Sequence, residues 1–209
     1  RVMTNRANPL AMRVFTSTFG TTLQNFSARA SVSENFPTSL AALGLRVAVA
    51  SDHTLNRLYP GAWSETFDYE SWPADVLGQD ARMFARATAW LEDPSLDVLV
   101  LHEIGTDKVA HEYRVGGHEY REKYREVDAF VARVGARLGP DDYLYLLGDH
   151  GHAPAGGHTR EAAYLVRGPL FPHGMRRDID ATDVLTLLSV PYGLTLPEGY
   201  EGRVQTGHL

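Results

Sequence analysis

Leu144-Tyr145-Leu146-Leu147-Gly148-Asp149-His150-Gly151-His152-Ala153-Pro154-Ala155-Gly156-Gly157-His158 is the stretch on which the fold of this 209-residue chain turns. Its apolar start reads as a short buried strand, and it stops abruptly in Gly-Asp-His-Gly and then Gly-Gly-His. Open parallel sheets collect ligands at the carboxyl ends of their strands, where loops are free to carry polar groups. One carboxylate (Asp149) and three imidazoles (His150, His152, His158) beyond a strand end are therefore acid, base or metal-ligand chemistry held on glycine hinges. Histidines solvated in a polar loop are the plainer reading. Asp149-His150 directly after the strand, with glycine on both sides, favours a site.

The flanking sequence supplies a matching framework. Residues 97–102 give the cleanest strand signal, and residues 45–50 give another that closes in the polar turn Ser51-Asp52-His53. Met83, Phe84, Ala87, Trp90 and Leu91 keep helical spacing from Asp80 until Asp93-Pro94 ends the helix. The longest helix is expected over residues 119–138, with Tyr120, Tyr124, Val127, Val131, Val134 and Leu138 as its apolar stripe and charges elsewhere. Shorter helices are expected over 37–43, stopped by Gly44, and over 182–190, with a strand over 162–166. Residues 1–9 read as a loop entering a helix that ends near Gly20, and residues 21–34 as a second loop. Residues 55–75, aromatic and rich in Pro and Gly without a period, read as a long surface excursion. Strands alternating with helices, without a repeat, predict one α/β domain over residues 1–209 around a mainly parallel sheet.

Composition narrows the partners. Apolar residues make up 44% and charged residues 22%, ordinary for a globular protein, and 20 Lys and Arg against 26 Asp and Glu give a net charge of −6. That acidity argues against a nucleic-acid duplex. Without cysteine, disulfides and thiolate metal sites are excluded. No apolar run approaches the roughly 20 residues that span a bilayer, and no signal peptide is visible, so the compartment stays open. The chain starts at Arg1 rather than Met, from which we expect a segment upstream.

A second cluster follows the cleanest strand: Leu101-His102-Glu103-Ile104-Gly105-Thr106-Asp107-Lys108-Val109-Ala110-His111. If a helical turn opens at Thr106 or Asp107, Asp107 and His111 share a face, and one carboxylate oxygen and one imidazole nitrogen can converge on a cation. Alone, such a pair is as well explained by an N-capping Asp and an incidental His. Beside a second Asp-His set it is harder to dismiss. Asp107, His111 and His158 supply a three-ligand set with one position open, the pattern of a catalytic zinc. Asp149 and His150 supply two ligands for another cation, and a two-metal phosphoryl-transfer site also needs a further carboxylate and a nucleophile.

These motifs resemble the alkaline phosphatase superfamily, especially its nucleotide pyrophosphatase/phosphodiesterase and GPI-ethanolamine-phosphate transferase branches. The stretch from His102 through Gly105 and Asp107 to His111 is similar to the middle metal motif of the transferases, and Gly148-Asp149-His150-Gly151 with Gly156-Gly157-His158 to their later one. Residues 47–63, with Asp52, Thr54, Leu58, Pro60 and Gly61, resemble the segment before the middle motif, and residues 178–203 resemble the closing helix and tail. The resemblance implies a three-layer α/β sandwich with helices on both faces of a mainly parallel sheet. It implies two divalent metal ions, zinc with manganese as the alternative. Asp107, His111 and His158 would bind one ion, Asp149 and His150 the other. The family's nucleophile is a Thr or Ser at a helix start. Arg1-Val2-Met3-Thr4 resembles the Arg-Val-Pro-Thr approach to it, which makes Thr4 the candidate, while counting back from Arg13 and Gly20 puts Asn8 or a neighbour there. Asn8 cannot form a phosphoenzyme in the ordinary way but can bind a phosphoryl oxygen. The superfamily opens with a strand whose terminal Asp ligates the second metal, and this chain begins after it. The resemblance therefore implies a fold completed by an N-terminal segment or a separate chain.

Other residues receive smaller roles. His152 is a candidate contact for substrate phosphate, with a solvated loop His as the alternative, and His102 a candidate for orienting a metal ligand. Glu103 and Lys108 flank the metal pair and could touch a headgroup; Tyr59, Trp63, Phe67, Tyr69 and Trp72 wall a pocket or pack in a loop. The function expected is metal-dependent hydrolysis of a small phosphoester, by a phosphodiesterase or phosphatase, rather than phosphoethanolamine transfer, because the transferases' membrane spans have no counterpart here. The alternative is a degenerate, non-catalytic homologue serving as a binding module, or one subunit of a split enzyme.

Overall fold

Every residue of Val47–Asp52 (β2) is buried, as a strand with a neighbour on each edge and covered faces requires. A computed structural model describes residues 2–3, 34–69, 75–155 and 157–203 of the chain. They fall into two compact units: the described parts of residues 40–137 and 152–157, and the described parts of residues 1–39, 138–151 and 158–209.

In the unit built on residues 40–137, β2 pairs in parallel with Glu65–Tyr69 (β3) on one side and Val98–Leu101 (β4) on the other. Helix Val76–Trp90 (α3) lays Met83, Phe84, Ala87 and Trp90 against Ala48 and Ala50, and Phe84 stacks on Phe130 at 4.4 Å. The small alanines of β2 let the helix approach the sheet, and the aromatics fill the remaining space. Arg46 ties β3 to the loop before β4 by pairing with Glu65 at 2.8 Å and Asp93 at 3.2 Å.

Two expectations change here. β2 does not end in a polar turn but runs through Ser51 and Asp52 directly into helix His53–Leu58 (α2), whose Thr54 N–H donates to the Asp52 carboxylate. Residues 55–75 are not wholly a surface excursion, since α2 buries Leu55 and Leu58, Tyr59 is buried behind it, and β3 follows. A six-residue helix is too short to display a period, and β3 alternates over only five residues.

The other unit holds helix Phe36–Ala42 (α1) in part, strand Val2–Met3 (β1) and the strand of the opening motif, Leu144–Leu147 (β5). β5 is only partly buried and pairs antiparallel with Tyr164–Arg167 (β9). The expected strand over 162–166 is split into Glu161–Ala162 (β8) and β9. β1 lies between β8, antiparallel, and Ile179–Asp180 (β10), parallel. Helix Val184–Ser189 (α6) is buried throughout, and Asp180 and Asp183 form a reciprocal cap at the turn that opens it. The molecule is thus α/β with a parallel sheet flanked by helices, as expected, and the unit that carries β5 contains antiparallel pairs of its own.

Helices Gly105–Tyr113 (α4) and His118–Gly135 (α5) complete the framework. The buried residues of α5 are Lys123 and Phe130, whereas Tyr124, expected in its apolar stripe, is exposed. Among the described residues no helix is long and apolar enough to cross a membrane. The helix expected to end near Gly20 lies outside the described residues, as do Thr4 and Asn8.

Candidate metal centre

The chain leaves β4 through His102, Glu103 and Ile104 and turns at once into α4. Glu103 makes that turn, accepting from the Thr106 backbone N–H at 3.1 Å and from its hydroxyl at 2.8 Å. It thereby satisfies a helix N–H that has no partner within the helix. Gly105 is required because a Cβ there would collide with Asp80, Glu103 and Lys123. Asp107 then falls in the first turn of α4 and His111 one turn later, on the same face.

Three residues of this unit converge. His111 Nε2 lies 3.4 Å from Asp107 Oδ1, and His152 Nε2 lies 2.8 Å from the same oxygen. The two imidazole rings meet edge to face at 5.5 Å. The His152 side chain is 6% exposed, against 27% for Asp107 and 38% for His111. Solvation, the alternative for His152 in the sequence, gives way to a buried ring bonded to a carboxylate. A carboxylate oxygen and the His111 imidazole nitrogen 3.4 Å from it are donors that suit zinc and other divalent ions of similar preference.

In the other unit, β5 delivers Asp149 and His150. The His150 N–H donates to Asp149 Oδ1 at 3.0 Å, and His150 Nε2 lies 3.5 Å from Asp149 Oδ2. His158 stacks on His150 with ring centres 3.7 Å apart. Strands Gly151–His152 (β6) and His158–Thr159 (β7) pair, and Gly151 has no room for a side chain against the Glu161 carbonyl and the Thr159 hydroxyl. Between these strands, Ala153 N–H donates to the Gly157 carbonyl at 2.7 Å.

Behind α4 sits a cluster that the sequence did not single out. Lys123 Nζ pairs with Asp80 at 2.8 Å, Glu126 at 3.0 Å and Glu103 at 3.2 Å, with the Asp80 side chain fully buried and that of Lys123 3% exposed. Burial, and then the nearby Glu103 carboxylate, push the Asp80 pKa up to about 7 against the opposing pull of Lys123. Burial works to lower the Lys123 pKa, but the surrounding carboxylates outweigh it and the pKa is raised. One signal was available: Lys123 shares a helical row with Val127 and Phe130. Glu103 is thus committed to Lys123 and to Thr106, and Lys108 pairs with Glu112 at 3.2 Å.

His102 is held from two sides. Its Nδ1 lies 3.5 Å from the buried Asp52 carboxylate, and its carbonyl accepts from the Tyr69 hydroxyl at 2.6 Å. Burial, reinforced by Asp80, pushes the Tyr69 phenol far above its ordinary pKa, so it remains a donor.

The type I phosphodiesterase / nucleotide pyrophosphatase family matches residues 21–168. GPI ethanolamine phosphate transferase 3, catalytic subunit, of Mus musculus is 28% identical over 192 residues, covering 86% of this chain and 18% of that protein. The Homo sapiens protein of the same name is 27% identical with the same coverage, so the chain spans about a fifth of the length of these relatives. Among solved structures, the lipoteichoic acid synthase LtaP from Listeria monocytogenes has a TM-score of 0.63 at 14% identity, over 97% of this chain and 64% of that one. Leishmania mexicana phosphoglycerate mutase has a TM-score of 0.62 at 15% identity, over 83% of this chain and 39% of that one. Both are alkaline phosphatase-like folds, in agreement with the motifs read from the sequence. With the family match running through the centre of the chain and both Asp-His motifs inside it, the chain belongs to the type I phosphodiesterase / nucleotide pyrophosphatase family.

Proposed function

We propose that the chain carries a two-metal phosphoryl-transfer centre that cleaves a phosphodiester. The observation that supports this most is that His111 Nε2 stands 3.4 Å from Asp107 Oδ1, one helical turn along the same face, in a member of a phosphodiesterase family. In this reading residues 1–209 act as one catalytic domain. Asp107, His111 and His158 hold one divalent ion and Asp149 and His150 contribute to a second, zinc with manganese as the alternative. When bound, such ions supply positive charge for the attacking and leaving oxygens of an in-line displacement and acidify a ligated hydroxyl.

Thr4 is the nucleophile of this reading. Its Oγ loses its proton and bonds to phosphorus as the ester oxygen leaves and takes up a proton. The acceptor hydroxyl then loses its proton as its oxygen bonds to phosphorus, and the departing Thr4 Oγ is protonated again. Asn8 donates its amide hydrogens to a phosphoryl oxygen. The relatives named as ethanolamine phosphate transferases support an alcohol as acceptor, and the family description supports water. Cleavage of the diester is common to both.

The test is metal content together with turnover. The purified chain should hold about two zinc or manganese ions and cleave a chromogenic phosphodiester, with activity lost in Thr4→Ala and Asp149→Ala. Added alcohol should divert product from hydrolysis if transfer is the natural course. One ion per chain, with variants as active as the parent, would replace this reading with a non-catalytic binding module.

A further inference from the structure

We infer that His152 is a positioning residue for Asp107: it donates its Nε2–H to Oδ1 and fixes the carboxylate in the rotamer that faces His111. The inference rests on the metal-binding role proposed above for Asp107 and His111.

The two histidines differ in their distance from the same oxygen. Two ligands of one tetrahedral zinc, each about 2.0–2.1 Å from the ion, lie about 3.3 Å from one another. His111 Nε2 stands 3.4 Å from Asp107 Oδ1, the spacing of two ligands of one ion. His152 Nε2 stands 2.8 Å from it, the spacing of a hydrogen bond. A carboxylate oxygen has two lone pairs, so Oδ1 can accept from His152 and still present a lone pair to a cation. Exposure separates the two in the same sense. The His111 side chain is half open, whereas that of His152 is almost wholly buried, as a fixed supporting donor would be. That burial also weighs against direct contact between His152 and substrate phosphate.

The chain around His152 suits a fixed donor. Gly151 before it is packed too closely to carry a side chain, and the Ala153–Gly157 hydrogen bond closes the loop after it. Asp107 lies on the first turn of α4, so a donor fixed in the chain bears directly on its carboxylate. Hydrogen bonds of this kind to a ligating carboxylate are worth about 10–100-fold in metal affinity.

Cobalt(II) titration of the full chain separates the possibilities, because the visible absorption of cobalt reports its ligand set. His152→Ala is expected to weaken cobalt binding about 10–100-fold, while the spectrum at saturation keeps its band positions and intensity. His152→Gln, which places an amide N–H near the position of Nε2–H, is expected to recover most of the affinity, and it serves if the alanine variant does not fold. Asp107→Ala should change the saturated spectrum itself. A spectrum altered by His152→Ala in the same way would make His152 a ligand and overturn the inference. Parent affinity in both His152 variants, or a rise in KM alone, would also overturn it, the latter in favour of substrate contact. A parent chain that binds no more cobalt than Asp107→Ala would overturn the metal reading of Asp107, and the role of His152 with it.

Discussion

The carboxylates around Lys123 and the Asp107 carboxylate lie in the same unit and are balanced in opposite ways. Asp80 and Glu103 are sealed around Lys123, with Glu126 at the rim, so the cation that balances them is part of the chain. Asp107 is partly exposed and faces the imidazoles of His111 and His152. The difference teaches how α4 is built. Its N-terminus is clamped from behind by Glu103, whose other contact is Lys123, so the helix that spaces Asp107 and His111 is itself held in place. A buried ion cluster is weak evidence of net stabilisation, but removing one partner is costly because the remaining charges stay buried.

The largest expected effect that tests this contrast is that of Lys123→Met. It should cost about 3–5 kcal/mol, or roughly 10 °C in melting temperature for a chain of this size. Asp107→Asn, melted in a metal-free buffer, should shift the midpoint by only a few degrees. Equal losses from the two would break the contrast between a sealed support and an open site. The Asp80→Asn variant sharpens it through pH. The Asp80 pKa in the folded chain lies near 7, above its ordinary value of 3.8, so the folded state holds this proton more tightly. Its stabilising contribution is complete below pH 3.8 and is lost as the pH rises through about 7. The melting temperature of the parent minus that of Asp80→Asn should therefore fall across this window, and a level difference would count against the burial argument. Smallest of all is Arg125→Ala, which removes an exposed pair with Glu122 on the outer face of α5. Chemical denaturation should register a change of about 0.5 kcal/mol or less, which sets the scale against which Lys123 is judged.

The readable parts of the fold were those with long periods or sharp punctuation. Helix α3 and strand β4 announce themselves through Met83, Phe84, Ala87 and Trp90 and through the apolar run of residues 98–101. Asp107, His111 and Asp149-His150 were legible because each pair is local, set by one helical turn or by one strand end. The approach of His152 to Asp107 was not, since it joins residues from distant parts of the sequence. Lys123 was missed for another physical reason. A lysine in a charged helix reads as solvated, and only the arrival of Asp80 and Glu103 from other elements makes its burial tolerable. The antiparallel partner of β5 was hidden in the same way, because a strand does not state in its sequence which neighbour it will take.

The pairing of β1 has a consequence for the order in which the chain can fold. Val2 is matched with Ala162 and Ile179, so this sheet joins positions separated by nearly the whole sequence. The β2–β3–β4 sheet closes far shorter loops. The entropy difference between such closures is only about 1 kcal/mol, but contacts between distant positions form late. During synthesis, residues 47–101 can pair as soon as they emerge, whereas β1 must wait for β8 and then β10 to be made. The strand at the start of the sequence is therefore among the last to be placed.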